Sequence, residues 1–155
     1  MLDVRLPDFS YSIPIEVRFR DLDAMGHVNN AVYFTYFEQA RIGYWLSLVG
    51  AGTSDAKAIG MIVVHAECDY ASGAVLGETL LAGCRVVSFG KSSFVLAYEI
   101  VCADELGDDA PARRVASGTT IQALYDWEER RTIPFTDELR SRIEAREGRS
   151  LPSKA

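Results

Sequence analysis

The chain has 155 residues, 48% apolar and 25% charged, with a net charge of −6, the composition of one globular domain with a substantial core. It carries no basic run that could follow a phosphate backbone, which excludes nucleic acid as the expected partner. No apolar run approaches the ~20 residues of a membrane span.

The opening Met1-Leu-Asp-Val-Arg-Leu-Pro7 lacks the charged-then-apolar plan of a signal peptide. Cys68, Cys84 and Cys102 are odd in number, far apart and set among apolar residues. Buried free thiols suit a reducing compartment, so the expected location is cytoplasmic. With no CxxC pair, a zinc or redox site of that type is not expected. Arg85 and Lys91 are isolated cations that could hold a phosphorylated small molecule.

In chain order, residues 1–10 read as a loose lead-in. Tyr11 to Phe19 alternates (Ile13, Ile15, Val17, Phe19) and predicts a first strand, interrupted or started by Pro14. A polar stretch, Arg20-Asp-Leu-Asp-Ala-Met-Gly-His-Val-Asn-Asn30, then runs into the strongest helical pattern in the chain. Tyr33, Tyr36, Phe37, Ala40, Tyr44 and Leu48 recur at steps of three and four. Asn29 or Asn30 suits the N-cap, and Gly50, with Gly52 behind it, suits the stop. Glu38 and Arg41 mark the wetter side of this helix and are spaced to pair with each other.

Residues 51–57 read as a connector and Ile59 to Tyr70 as a strand, followed by turns at Ser72-Gly73 and Gly77. Thr79 to Val87 and Ser92 to Cys102 are expected strands, joined by a hairpin at Ser88-Phe-Gly-Lys91. Asp104 to Ala112 is a polar loop, and Val115 to Tyr125 the last strand. Pro134 breaks the chain before a charged helix, Thr136 to Glu147, with little apolar face; residues 148–155 are expected to fray. The expected fold class is α+β, a five-stranded antiparallel sheet around one long helix, in a single domain spanning 1–155 with its core at about 11–140. One helix covers one sheet face, yet strands such as Ser92 to Cys102 are apolar on both sides. A second copy of the chain is the expected cover, giving a homodimer at least.

Chemistry concentrates where the polar stretch meets the helix. Asp21, Asp23, His27, Asn29 and Asn30 crowd a helix entrance, whose exposed N–H groups and dipole favour developing negative charge. A carboxylate there can take a proton from water or attack a carbonyl, and the helix entrance can stabilise an oxyanion. No acid for a leaving group is evident. A thioester tolerates that, since a thiol of pKa ~8.5 leaves readily as an anion. The competing structural reading is that Asp21 and Asp23 only tie down the loop and cap the helix.

The pattern Arg20-Asp-x-Asp-x-x-Gly-His-Val-Asn-Asn-x-x-Tyr33-x-x-Tyr36-x-Glu38-x-x-Arg41 resembles the signature of hotdog-fold acyl-CoA thioesterases of the 4-hydroxybenzoyl-CoA thioesterase type. Ala74-Val-Leu-Gly-Glu-Thr-Leu80, Phe89-Gly-Lys-Ser-Ser-Phe94 and Ala116-Ser-Gly-Thr-Thr-Ile-Gln-Ala123 are similar to later strands of that family, in the same order. The resemblance covers roughly residues 11 to 140. It implies that Asp23 is the catalytic carboxylate and that the backbone amide of Asn30 polarises the thioester carbonyl. It also implies a site shared between subunits of a homodimer or homotetramer, with neither cofactor nor metal. His27 is expected either to orient Asp23 or contact substrate, or to hydrogen-bond the loop backbone. Asn29, Tyr33, His65, Lys91 and Ser92 are the expected substrate contacts, the hairpin pair meeting the coenzyme A phosphates. His65, Glu67 and Asp69 share a strand face, but a metal there is disfavoured, as ligands normally converge from several elements. His27, Asn29 and Asn30 stand where aromatic-substrate members carry bulkier residues, which points to the branch acting on fatty or other acyl-CoAs. The alternatives are an acyl-carrier-protein thioesterase and a non-catalytic acyl-CoA binder.

Overall fold

The computed structural model describes residues 6–50, 60–105 and 112–153. Along the chain lie β1 (Tyr11–Glu16), α1 (Val32–Val49), β2 (Met61–Tyr70), β3 (Thr79–Phe89), β4 (Ser93–Cys102), β5 (Arg114–Asp126), β6 (Arg131–Thr132) and α2 (Asp137–Glu147). The sheet order is β1-β3-β4-β5-β2, every neighbour antiparallel, with the short β6 added to β5. The sheet thus has six strands where the sequence predicts five, because the two residues after the Trp127–Arg130 turn fold back on Tyr125 and Asp126.

Period-two and period-3.6 patterns meet across one interface. Phe94, Leu96, Tyr98 and Ile100 of β4 point to one side of the sheet and are buried beneath Tyr33, Tyr36, Phe37, Ala40 and Tyr44 of α1. Phe37 stacks on Tyr98 with ring centroids 4.5 Å apart, and Trp45 stacks on Phe94 at 5.7 Å. This is a sheet wrapped around a central helix, the hotdog arrangement. Gly50 ends α1 in the left-handed region (φ 68°), as its position suggested.

Several expectations change. β1 stops at Glu16, and Phe19 is 80% exposed in a 3-10 turn (Phe19–Asp21), since its side chain no longer follows the strand alternation. The α1 N-cap is Ala31, not Asn29 or Asn30; Asn29 instead uses its side-chain oxygen to accept from the Ala31 N–H at 3.0 Å, an Asx turn just before the helix. Arg41 is buried rather than wet. Its stem lies in the core and its guanidinium meets the exposed Glu38 carboxylate at 3.5 Å, the expected pair. The lead-in is not loose from residue 6 onward: Leu6 is buried with Leu81 and Val101, and Phe9 packs on them, covering part of the outer sheet face. The expected connector at 51–57 and most of the polar loop at 104–112 lie outside the described residues.

The C-terminal helix is more than a charged appendage. Thr136 caps it, its hydroxyl accepting from the Leu139 N–H at 3.2 Å, and Ile143 is fully buried. Arg140 lies over the rings of Phe89 (4.7 Å) and Phe135 (5.5 Å). Glu147 Oε1 accepts from Ser10 Oγ (2.9 Å), Tyr44 OH (2.8 Å) and Val86 N (2.9 Å), tying the lead-in, α1 and β3 together. The tail continues along β3, where the Phe89 N–H donates to the Pro152 carbonyl at 2.9 Å, so residues 148–153 are docked rather than frayed. Ile143→Ala is expected to cost about 2–4 kcal/mol in urea unfolding. A loss below about 0.5 kcal/mol would mean that α2 is peripheral.

Candidate active site

The loop between β1 and α1 is shaped by its own carboxylates. Asp21 is buried and takes a fork from Arg18: Nε and the backbone N–H donate to Oδ2 (both 3.0 Å), and Nη2 donates to Oδ1 (2.9 Å). Tyr36 OH, from the second turn of α1, also donates to Oδ2 at 3.0 Å. Burial alone pushes the Asp21 carboxyl up, but the hydrogen bonds from Arg18 and Tyr36 outweigh it and hold it below the ordinary carboxylate value. Asp21 is thus ion-paired with Arg18. The Asp21 carbonyl accepts from the Asn29 N–H at 2.9 Å, which closes the loop at its far end.

Asp23 is held differently. Its Oδ1 accepts from the backbone N–H groups of Met25 (2.8 Å) and His27 (3.3 Å), while its own N–H donates to the His27 carbonyl (2.8 Å). Gly26 completes this tight turn at φ 83°, a conformation strained for any side chain. His27 reaches Asp23 through its backbone alone. Its imidazole lies against Gly73, where a Cβ would come within 2.8 Å of the ring. A bridge between His27 and Val75, and a Val28 N–H to Ala74 carbonyl bond of 2.9 Å, seat the loop on the turn after β2. Arg113 braces that turn in its own right, donating to Ser72 Oγ, the Gly73 carbonyl and Glu78.

These elements border an open-sided cavity of about 400 Å³ lined by Asp23, Met25, Val28, Asn30, Tyr33 and the β2 end, Tyr70 to Gly73. Asp23 and Asn30 therefore face one space, with Tyr33 on its wall. The Asn30 N–H finds no acceptor among the described residues. Asn29 sits beside the cavity, its side chain engaged with Ala31. Tyr70 OH donates to the Asn30 carbonyl at 2.9 Å, and its ring meets Tyr33 edge-on at 5.4 Å.

The remaining sequence candidates lie elsewhere on the protomer. His65 is cross-strand from Ile121 and Glu67 from Thr119, on the sheet face turned away from α1. There His65 Nε2 approaches Glu67 at 3.7 Å, and Thr119 Oγ1 donates to Glu67 at 2.6 Å. Lys91 and Ser92 occupy the β3–β4 hairpin, roughly 30 Å along β3 from the Val75–Glu78 turn. Their carbonyls accept from Phe135 and Leu124, which anchors the hairpin and leaves the two side chains outside the cavity. Among the described residues no three His, Cys, Asp or Glu side chains gather as a metal site. Sequence reasoning missed Tyr70, whose place follows only from the end of β2 meeting the entrance of α1.

The model of the thioesterase-like superfamily matches residues 17–143, from the entrance of the Asp23 loop to α2. The chain belongs to this superfamily. A thioesterase from Thermus thermophilus, solved with coenzyme A and Zn, is 31% identical with a TM-score of 0.80, covering 94% of this chain and 100% of that one. The long-chain acyl-CoA thioesterase FadM of Escherichia coli is 27% identical over 133 residues, 84% of this chain and 94% of FadM. YsmA of Bacillus subtilis, a protein of undescribed activity, is 29% identical over 130 residues, 84% of this chain and 82% of YsmA. The resemblance read from the sequence is thus shown at the level of family and fold. Within this superfamily member, the loop that carries Asp23 is fastened by the buried Asp21 carboxylate. Since the Asp21 pKa is lowered by folding, its stabilisation is present above the unfolded value near 3.8 and lost as pH falls through the folded one. Unfolding followed from pH 6 down to pH 3 is expected to show a stability loss that is reduced in Asp21→Asn, which begins less stable at pH 6; parallel profiles would remove Asp21 from the acid response.

Proposed function

We propose that this thioesterase-superfamily protein hydrolyses an acyl-CoA to the free acid and coenzyme A. The observation that carries the reading is the shared cavity: a carboxylate, Asp23, and a backbone N–H without an acceptor among the described residues, Asn30, face it together. Thioester hydrolysis needs those two groups. Asp23 Oδ1 is occupied by two backbone donors, which fixes the carboxylate plane and leaves Oδ2 to take a proton from water. The hydroxide adds to the acyl carbon, and the carbonyl oxygen takes the negative charge toward the Asn30 N–H at the positive end of α1. Collapse expels the thiolate, which takes up the proton released from water. Direct attack by Asp23, forming a mixed anhydride that water then cleaves, uses the same two groups. His27 supports Asp23 through its N–H, Tyr33 shapes the cavity wall, and Asn29 sits beside it as a further substrate contact.

The cavity opens beside the end of β2, a ten-residue edge strand with Val63 and Val64 exposed at 48% and 57%. An edge of that length with no second strand partner among the described residues is a template for a second copy. In the proposed assembly a partner pairs there and brings its own residues to the site, where His65, Lys91 and Ser92 would serve as substrate contacts. Sedimentation is expected to give at least twice the mass of one chain; a monomer that is fully active would overturn the shared site.

The deciding experiment is thiol release from acetyl-, hexanoyl-, palmitoyl- and benzoyl-CoA by the unmodified protein and by Asp23→Asn. Turnover on at least one ester, reduced ~100-fold or more in the variant with its unfolding midpoint unchanged, is the expected result. Equal turnover removes Asp23 from the mechanism. Binding of the esters without turnover favours an acyl-CoA binder instead.

A further inference from the structure

We propose that Tyr70 is a positioning residue that aims the oxyanion-binding amide of Asn30; this rests on the reading of Asn30 given above. Asn30 stands one residue before the N-cap of α1, so its carbonyl lies outside the helix ladder, whose first acceptor is the N-cap carbonyl. Its N–H has no acceptor among the described residues. The residue is free to rotate unless its neighbours hold it. Three bonds do. The Asn29 N–H donates to the Asp21 carbonyl at 2.9 Å, and the Asn29 carbonyl, in the same peptide plane as the Asn30 N–H, accepts from the Val32 N–H at 2.9 Å. Tyr70 OH donates to the Asn30 carbonyl at 2.9 Å and so holds the central peptide group of that turn, limiting the rotation of Asn30 about the plane that carries its N–H.

The phenol is itself aimed. Tyr70 closes β2 opposite Ala116, on the sheet face turned toward α1, and its ring meets the buried Tyr33 edge-on at 5.4 Å. Tyr33 in turn meets Tyr36 at 5.9 Å, whose hydroxyl donates to Asp21. One aromatic row thus runs from the Asp21 anchor to the Tyr70 anchor, along the inner side of the loop. Tyr70 is 47% exposed, so its hydroxyl has water as an alternative partner, and the bond to Asn30 contributes little to stability on that account. Its effect is on direction. An N–H donor aligned with the oxyanion acts in the transition state more than in the ground state, so losing the alignment lowers kcat and leaves KM nearly unchanged.

The test is Tyr70→Phe in the full chain, assayed with whichever of the four esters is turned over fastest. The expected result is a kcat about tenfold lower, a KM within about twofold, and an unchanged unfolding midpoint, a smaller loss than deleting an oxyanion donor outright. A second measurement reads the amide directly. In Asp23→Asn, the infrared carbonyl stretch of the bound thioester is expected to shift to lower frequency, and adding Tyr70→Phe is expected to shrink that shift. An unchanged kcat, or a change confined to KM with the carbonyl shift intact, overturns the proposal and makes Tyr70 a wall residue. Full turnover in Asp23→Asn overturns the base assignment alone, because the kcat and KM comparison for Tyr70→Phe is made in active protein. Absence of turnover on all four esters removes the thioesterase reading and this inference together.

Discussion

One buried carboxylate organises the candidate-site end of the molecule. Asp21 collects the Arg18 guanidinium, the Arg18 backbone N–H and the Tyr36 hydroxyl on its two side-chain oxygens, while its carbonyl takes the Asn29 N–H. The exit of β1, the first turns of α1 and Asn29, the residue before Asn30, are therefore fastened to one residue. A carboxylate held out of water is stable only with donors of this quality, and removing one would leave a charge without its solvation. Asp23 can be presented to the cavity on an exposed turn because Asp21 has fixed the frame around it.

Much of this was legible in the residues themselves. The step of three and four from Tyr33 to Tyr44 gave the helix and its buried face, and alternation gave β2 to β5 within a residue or two of their ends. The spacing from Asp21 to Asn30 marked the stretch that the structure folds into a loop beside a cavity lined by Asp23 and Asn30. What stayed hidden depends on contacts between distant parts of the chain. Arg41 looks like a surface residue on a helical wheel, yet its side chain is buried and hydrogen-bonds Tyr98 of β4. The charged α2 shows a weak pattern because Ile143 alone is fully buried and Glu147 supplies the rest through hydrogen bonds to Ser10, Tyr44 and Val86. Tyr70 reads as the last residue of a strand; only the sheet order brings it to Asn30.

The two sheet faces divide the work. The inner face, packed on α1, holds Ala116 and Gly118 opposite Tyr70 and Cys68, and it ends at the cavity. The outer face is covered near β3 and β4 by Leu6 and Phe9, while toward β5 and β2 it presents Ile121 with His65, Glu67 and Asp69. On β4 the Leu6 and Phe9 cover reaches Val101, while Val95 and Ala97 on the same face stay partly exposed.

The strand order also dictates when the molecule can complete itself during synthesis. β2 follows α1 in the chain yet pairs, among the described residues, only with β5, and α2 supplies Ile143 and Glu147 after every described strand has been made. Until β5 has left the ribosome, β2 lacks its partner strand, and the aromatic stripe of α1 lacks part of the sheet that buries it. Such distant pairings carry a loop-closure cost before any contact rewards it. A nascent or truncated chain ending before β5 would hold its aromatic residues open to other chains, so the last third of the sequence governs whether the first two thirds stay soluble while they wait.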